Sequence, residues 1–150
     1  MTVAASLLEK TKQALEHAKR IDQHYHYFNA FCDELALSQT GKPGVLSDVF
    51  VTIKDNICLK GVETTAGSAI LKGYKPPFHA TAVARLLQAG AIPIGKTAMD
   101  EFGFGSYNTN VGLGFKTPKH PSSPEYVTGG SSGGAAGIAA KATFPHVALV

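Results

Sequence analysis

The sequence predicts an α/β fold in which helices pack on a sheet. Apolar side chains recur at helical spacing over residues 3–21, whereas residues 45–54 alternate and are rich in β-branched side chains. A second apolar run, AIPIG at 91–95, has the character of a short buried strand. Helices that alternate with strands favour a layered α/β arrangement. The chain has 150 residues, 44% of them hydrophobic, so one domain with its own core is expected.

The first half of the chain is predicted to form two helices and one strand. The helical stripe of residues 3–21 consists of Val3, Leu7, Thr11, Leu15, Ala18 and Ile21. The sequence FNAFCDELAL at 28–37 indicates a second, shorter helix, and TGKPG at 40–44 then breaks the chain. The strand at 45–54 is expected to end near Asp55. One side of this strand is predicted to carry Val49, Val51 and Ile53.

The second half is predicted to contain three helices, one strand and a long irregular segment. We expect, in order, a helix at 79–89, the strand at 91–95, a short helix that begins near residue 97, and a helix at 133–142. Thr81 is a candidate N-cap of the first helix, and Gly90 suits its C-terminal cap. Residues 105–130 are rich in Gly, Pro, Ser and Asn, and long ordered segments of this kind often carry function.

Composition and charge argue against several classes of protein. No apolar run approaches the ~18 residues of a membrane span, and Glu9 comes too early for a signal peptide, so we expect a cytoplasmic protein without a membrane partner. The net charge of +3 comes from scattered residues, which is typical of a solvated surface rather than a nucleic-acid groove. Cys32 and Cys58 form no C-x-x-C pair, and the histidines lack partners at ligand spacing, so no metal site is predicted. A cysteine nucleophile has no local support in the sequence.

Residues 90–97, GAIPIGKT, match the phosphate-loop pattern G-x-x-x-x-G-K-[ST], but their context argues against a nucleotide site. The four middle residues are apolar and predict a strand, and Pro93 has no N–H to offer a phosphate. A predicted helix precedes Gly90 where a phosphate loop requires a strand. We therefore interpret the segment as a turn, a core strand and a lysine, Lys96, just past the strand's end.

Two stretches carry candidate chemistry. Lys54 ends an apolar strand, where it is either a lysine emerging into water or a buried lysine whose neutral amine can act as a base. TGGSSGGAAGIAA at 128–140 places Ser131 and Ser132 on a glycine-rich turn that leads into a helix. Gly-Ser stretches are commonly linkers, but a turn at a helix N-terminus presents N–H groups to negative charge. This favours an anion or oxyanion site without distinguishing phosphate from a reacting carbonyl.

Three stretches closely resemble the amidase signature family: FVTIKDNICLKGVETTAGS around Lys54, GAIPIGKTAMDEFGFGS around Lys96 and TGGSSGGAAGIAA around Ser131. They occur in the family's order and at similar spacing, over about residues 28–142. The resemblance implies the amidase-signature fold, a mixed sheet flanked by helices. It also implies that residues 1–150 are the N-terminal part of a single amidase domain, whose sheet and nucleophile region continue beyond the chain end.

The family uses a Ser–cis-Ser–Lys triad, which its motifs carry over to this chain. By resemblance, Lys54 is the base, and Ser131, preceded by a cis peptide bond, relays a proton between Lys54 and a nucleophilic serine. Ser132 would support the turn, although the reverse assignment of the two serines stays open. In the family the nucleophile lies in a later Gly-Gly-Ser turn, and none follows Ser131 here, so this chain alone is expected to be inactive. Phe104 and Ser106 match a region that borders the family's acyl pocket and are expected to bind substrate.

The stretch GKTxMDEF is most like the glutamine-hydrolysing A subunits of the Glu-tRNA(Gln)/Asp-tRNA(Asn) amidotransferases. Such a subunit supplies ammonia from glutamine to a partner B subunit, and a small C subunit is a further candidate partner. The partner would bind ATP, Mg²⁺ and most of the mischarged tRNA, so this chain is expected to need no metal or cofactor. Ala98, Ala135 and GSYNTN depart from the A-subunit pattern and loosen this assignment. The alternatives are a fragment of a stand-alone amidase for small amides and a non-catalytic scaffold piece.

Overall fold

The computed structural model describes residues 3–150, with side chains from residue 6 onward, as a four-stranded sheet with four α-helices. In chain order the elements are α1 (Val3–Tyr25), β1 (Phe28–Phe31), α2 (Asp33–Gln39), β2 (Phe50–Lys54), α3 (Thr81–Gln88), β3 (Ile92–Thr97), α4 (Gly133–Lys141) and β4 (His146–Leu149). Short 3₁₀ turns occupy Ala69–Leu71 and Glu101–Gly103. The side chain of Val3, the first member of the predicted stripe, lies outside the described residues.

The sheet is mixed, as predicted, and its strand order is β1-β3-β2-β4. β1 runs antiparallel to β3, whereas β2 is parallel to both of its neighbours, β3 and β4. On one face, α1 and α4 cover a core that includes Leu15, Ala18, Ile21, Phe50, Ile92, Ile94 and Ile138. On the other face, α3 covers a second core that includes Val51, Ile53, Leu59, Val83 and Ala91. Helices on both faces of the sheet confirm the α/β prediction.

A one-residue bulge in β3 decides which way Lys96 points. Val51 lies opposite Pro93, but Thr52 lies opposite Gly95, which leaves Ile94 as the extra residue between them. Because successive side chains of a strand alternate, one extra residue moves all later side chains to the other face. Lys96 therefore lies opposite Ile53, on the α3 face, while Lys54 points to the α4 face.

The structure corrects the predictions for residues 28–37 and 45–54. Residues 28–31 form β1 rather than a helix, because they pair with β3, and the helix begins only at Asp33. β2 begins at Phe50, because residues 45–49 form turns, with Leu46 N–H bonded to the carbonyl of Ala89. Val49 thus precedes the strand. All five residues of β2 are buried, so the strand has two buried faces, as central parallel strands do, and Val51 and Ile53 share the α3 face as predicted.

Three predictions in the second half are wrong. Thr81 is the first residue of α3 and not its N-cap, because the carbonyl of Ala80 already accepts the N–H of Ala84. No helix begins near residue 97, because Thr97 still pairs with Lys54 in the sheet, and only a 3₁₀ turn follows at Glu101–Gly103. Lys96 lies inside β3 rather than past its end, since pairing of the strand continues through it.

The remaining elements agree with the sequence. The predicted strand at 91–95 lies within β3 apart from its first residue, and the predicted helices at 79–89 and 133–142 are α3 and α4 with slightly different ends. Residues 105–130 are irregular except for an isolated bridge between Lys119 and Val127. Gly90 follows α3 with φ of 91°, the left-handed conformation that ends many helices.

Small residues let α4 approach the sheet closely. A Cβ on Gly134 would lie 2.4 Å from the carbonyl oxygen of Tyr27 and 2.6 Å from the nitrogen of Ala98. A Cβ on Gly137 would lie 2.2 Å from the ring of Tyr27, which is wholly buried. The Gly-Gly-Ala-Ala-Gly sequence therefore allows the backbone contact that brings the turn before α4 against the end of β2.

Gly137→Ala is expected to destabilise the protein by roughly 1–3 kcal/mol, because the added methyl group overpacks the contact with Tyr27. Helix propensity alone would predict a gain of about 0.5–1 kcal/mol from the same substitution. Urea unfolding of the intact protein would measure the difference. Ala139→Leu, on the exposed face of the same helix, is the control and should stay within about 0.5 kcal/mol of wild type. A more stable Gly137→Ala variant would contradict the close packing.

Candidate active site

Lys54 and the two serines meet where β2 ends. Lys54 is the last residue of β2 and is 9% exposed. Its Nζ lies 2.8 Å from Ser131 Oγ and 2.7 Å from Ser132 Oγ, as donor to both hydroxyls. The structure thus brings together Lys54 and Ser131, the two residues that the sequence paired, across 77 positions of the chain. It adds Ser132, at nearly the same distance.

The turn that presents the serines is held by backbone hydrogen bonds. The peptide bond between Gly130 and Ser131 is cis, as the family resemblance implied. The N–H of Gly130 donates to the carbonyl of Ser106 at 2.8 Å, and the carbonyl of Ser131 accepts the N–H of Asp100 at 3.2 Å. The Ser131 turn is therefore bonded at two points, Asp100 and Ser106, to the loop that follows β3.

Burial makes the neutral amine of Lys54 more available as a base than that of an exposed lysine. Removing the ammonium from water disfavours its charged form and lowers the pKa of Lys54, while the negative charge of Asp100 acts in the opposite direction. The lowered pKa increases the neutral fraction near neutral pH, and only the neutral amine can accept a proton. A lysine in contact with two hydroxyl groups can in this way activate one of them.

The N-terminus of α4 is less open to an anion than the sequence suggested. The N–H of Gly133 donates to Asn108 Oδ1 at 2.8 Å, and the N–H of Gly134 donates to the carbonyl of Ala98 at 3.1 Å. These two amides already have partners within the protein, so they cannot also serve a phosphate or an oxyanion without rearrangement. The expectation of an anion site built from them is corrected accordingly.

Phe104 and Ser106, which we expected to bind substrate, lie in the exposed loop that follows β3. Phe104 is 80% exposed, and its carbonyl accepts a hydrogen bond from Asn110 Nδ2 at 2.7 Å. Ser106 is also exposed, and its carbonyl accepts a hydrogen bond from the N–H of Gly130. The side chains of both residues stand apart from the hydrogen bonds that join Lys54 to the serines. Their role in binding substrate stays a prediction.

Sequence reasoning missed Asp100, a wholly buried residue beside this site. Its carboxylate accepts the backbone N–H groups of Asn108 and Asn110, each at 3.0 Å. A signal was present in the sequence: an acidic residue follows a buried apolar run closely, and acidic residues are rarely buried unless they have partners. The motif around Lys96 thus contributes an acidic group to the surroundings of Lys54.

The second missed feature is a buried ion pair behind the site. Lys96 Nζ lies 3.2 Å from Asp55 Oδ1 and 2.8 Å from Thr64 Oγ1, and both charged side chains are fully inaccessible. Asp55 also accepts hydrogen bonds from Asn29 Nδ2 at 2.9 Å and from the hydroxyl of Thr65. Burial lowers the pKa of Lys96, and Asp55 opposes this effect. Because Asp55 follows Lys54 directly, the pair anchors the end of β2 that carries the candidate base.

The position of Lys96 also argues against a phosphate loop, in agreement with the sequence. Residues 92–97 are a strand rather than a loop, and the amine of Lys96 is engaged inside the protein.

Within residues 3–150, no group of three or more His, Cys, Asp and Glu side chains is arranged to hold a metal ion. Over the same residues, no helix combines the length and hydropathy that crossing a membrane requires.

Comparison with known proteins assigns this chain to a family. The model of the family described as Amidase matches residues 2–145. The chain belongs to the amidase family. The resemblance stated from the three motifs is thereby confirmed, and the mixed α/β sheet is that of an amidase.

Several relatives of this amidase chain are A subunits of glutamyl-tRNA(Gln) amidotransferases. The A subunit of glutamyl-tRNA(Gln) amidotransferase from Gloeobacter violaceus is 39% identical over 145 residues, which cover 90% of this chain and 29% of that protein. The corresponding Cyanothece protein is 40% identical over 150 residues, which cover 93% and 31% of the two chains. This amidase chain therefore spans about three-tenths of the length of these curated relatives.

Solved structures agree with this assignment. The crystal structure of the A subunit of glutamyl-tRNA(Gln) amidotransferase from Thermotoga maritima is 36% identical, with a TM-score of 0.78 over 85% of this chain and 27% of that one. A 6-aminohexanoate cyclic dimer hydrolase superimposes with a TM-score of 0.85 over 96% of this chain and 30% of that one, at 24% identity. The second likeness shows that the amidase fold is shared and leaves the substrate open.

Proposed function

We propose that this chain is the N-terminal part of a glutamine amidohydrolase subunit that supplies ammonia for the transamidation of mischarged Glu-tRNA(Gln) or Asp-tRNA(Asn). The observation that carries the proposal is the contact of Lys54 Nζ with the hydroxyl groups of Ser131 and Ser132 at 2.8 and 2.7 Å. Its support from the comparisons is the identity of 39–40% with the A subunits of two amidotransferases over nine-tenths of the chain.

In the proposed mechanism, neutral Lys54 accepts a proton from Ser131, and Ser131 takes the proton of a nucleophilic serine. That serine attacks the amide carbonyl of glutamine and forms an acyl-enzyme, while the proton returns through Ser131 to the departing ammonia. Water then attacks the acyl-enzyme and gives its proton to Lys54 through Ser131. Glutamate is released as that proton returns to the oxygen of the nucleophilic serine. We propose that the nucleophile belongs to the remainder of the same amidase domain, after residue 150, so that residues 1–150 alone are inactive.

The proposal also defines partners. A B subunit, with or without a small C subunit, would receive the ammonia, and it would bind ATP and Mg²⁺ for activation of the mischarged tRNA. This chain would then need no metal or cofactor and would contact tRNA mainly through its partner. Its net charge of +3, carried by scattered residues, is consistent with a chain that leaves most of the tRNA contact to its partner. Such a protein would act in the cytoplasm, and Phe104 and Ser106 would face glutamine.

The proposal is tested by expressing the complete reading frame with and without the B subunit. Glutamine hydrolysis and glutamine-dependent amidation of mischarged tRNA that requires the B subunit would support it. Hydrolysis of small amides without tRNA amidation would instead indicate a stand-alone amidase. No amide hydrolysis by the complete protein, with either substrate and with its partner present, would indicate a non-catalytic scaffold.

Ser131→Ala in the complete protein is expected to lower glutamine hydrolysis by roughly 10²–10⁴-fold, because the proton path from the nucleophile to Lys54 is interrupted. Ser132→Ala is the matched variant, since Ser132 also contacts Lys54, and it should cost clearly less. Steady-state turnover of both variants shows which serine relays the proton. Circular dichroism checks that both variants fold. A larger loss in Ser132→Ala would reverse the roles of the two serines.

A further inference from the structure

The carboxylate of Asp100 lies between two segments of the candidate site. Its Oδ2 accepts the N–H of Asn108 and its Oδ1 accepts the N–H of Asn110, each at 3.0 Å. The same residue donates its own N–H to the carbonyl of Ser131 at 3.2 Å. One wholly buried residue therefore contacts both the loop of residues 104–110 and the turn that presents Ser131.

Two glycines allow these segments to close around the carboxylate. A Cβ on Gly130 would lie 2.1 Å from Asp100 Oδ2, and a Cβ on Gly105 would lie 2.2 Å from Asp100 Cγ. Any side chain at either position would displace the carboxylate or the backbone. The N–H of Gly130 also donates to the carbonyl of Ser106 at 2.8 Å, so the loop and the turn are joined directly beside Asp100.

Asp100 is also the charged group that acts on Lys54. Its negative charge favours the ammonium form and so opposes the effect of burial on the pKa of Lys54. The titratable groups of β3, β4 and α4, three elements that contact β2, have partners of their own. Asp55 and Lys96 pair with each other, His146 contacts Thr52, and Lys141 lies over the ring of Tyr25.

We propose that Asp100 is a positioning residue of this site, which fixes the Ser131 turn against the loop of residues 104–110 and holds a negative charge near Lys54. This inference rests on the proposed role of Lys54 as the base. The loop carries Phe104 and Ser106, so Asp100 joins the segment expected to face the substrate to the segment that moves the proton. Displacement of either segment is then transmitted to the other through one residue, whose carboxylate binds the loop and whose backbone N–H binds the turn.

The test is Asp100→Asn in the complete protein, which keeps the size of the side chain and removes its charge. An amide presents one NH₂ group to a backbone N–H, so one of the two hydrogen bonds to the loop is lost. We expect kcat/KM for amide hydrolysis to fall roughly 10–100-fold, since a small misplacement of reacting groups has effects of this size. Without the negative charge Lys54 loses its proton more readily, so the acidic limb of the pH profile should move to lower pH.

Asp100→Glu separates the effect of the carboxylate's position from the effect of its negative charge. It keeps the negative charge, but the additional methylene group has no room between Gly105 and Gly130. Turnover should fall while the acidic limb stays near its wild-type position. Glu16→Gln, which removes a negative charge from the exposed side of α1, is the control and should change neither quantity.

The inference and the proposed function can fail separately. If Lys54→Ala is inactive but Asp100→Asn keeps both the wild-type rate and the wild-type pH profile, the inference about Asp100 is overturned alone. If Lys54→Ala is fully active, the base mechanism on which the proposed function relies fails. In that case the titration of Lys54, followed by NMR of lysine labelled at the ε-carbon, still tests the inference: a lower pKa in Asp100→Asn supports it, and an unchanged pKa overturns it.

Discussion

Replacement of Lys54 by alanine is expected to lower amide hydrolysis by the complete protein by about 10²–10⁴-fold, the range typical of a lost general base. The physical reason is that Lys54 Nζ contacts both candidate serines and that burial lowers its pKa, which makes the neutral base available. Steady-state release of ammonia from glutamine measures the loss. In the wild-type protein, activity should rise with pH through the pKa of Lys54, because only the deprotonated amine accepts a proton.

Two further variants at this position show whether basicity or charge matters. Lys54→Arg keeps a positive charge but cannot lose its proton at any accessible pH, so it should be as inactive as the alanine variant. Lys54→Met fills the same space without a charge and should also be inactive, with little loss of stability. Substantial turnover in Lys54→Arg would mean that Lys54 acts through its charge, and the base mechanism would be abandoned.

Lys96→Met is expected to destabilise the protein by about 3–5 kcal/mol, because removing one partner of a buried ion pair leaves the other charge uncompensated. Asp55 would keep its bonds to Asn29 and Thr65 but lose the ammonium group that lies 3.2 Å away in a site without solvent access. Urea unfolding of the complete protein would measure the change. A loss of under about 1 kcal/mol would contradict the burial of the pair.

The chain provides a matched control for this prediction. Lys19 forms an ion pair with Asp33 in which both side chains are 42% exposed, so Lys19→Met should cost at most about 1 kcal/mol. The double variant Lys96→Met with Asp55→Asn should cost less than the sum of its two single variants, because it leaves no unpaired charge. Additive effects would indicate that the two charges do not interact.

The family resemblance of the sequence was sufficient to predict that Lys54 and Ser131 meet. Lys54 stands at the end of an apolar strand and Ser131 at the start of a helix, and three motifs in family order link them. In the structure Lys54 Nζ lies 2.8 Å from Ser131 Oγ, although the chemical roles of the two residues stay proposals. The start of α4 was also predicted, from the glycine-rich turn that contains Ser131. The small residues of this segment allow α4 to approach Tyr27 closely.

Other features depend on contacts that no local pattern records. The sequence grouped residues 28–31 with the helix that follows, and only their pairing with β3 identifies them as a strand. The burial of Lys96 follows from the bulge at Ile94, which turns the side chain to the face where Asp55 lies. The partners of Asp100 are backbone N–H groups of a loop, and backbone groups carry no sequence signal. Local periodicity therefore predicted the helices and strands better than the strand pairing and the side-chain contacts.

The strand order has a consequence for synthesis of the chain. β2 lies between β3 and β4, and β4 is the last of these strands to be made. At roughly 5–20 residues per second, the approximately fifty residues from the end of β3 to the end of β4 need about 3–10 s to be added. During that interval one edge of β2 has unpaired backbone groups, and such an edge is a template for pairing with other chains. The strand that carries Lys54 thus keeps one unpaired edge until β4 has been made, and during that interval this edge is open to aggregation.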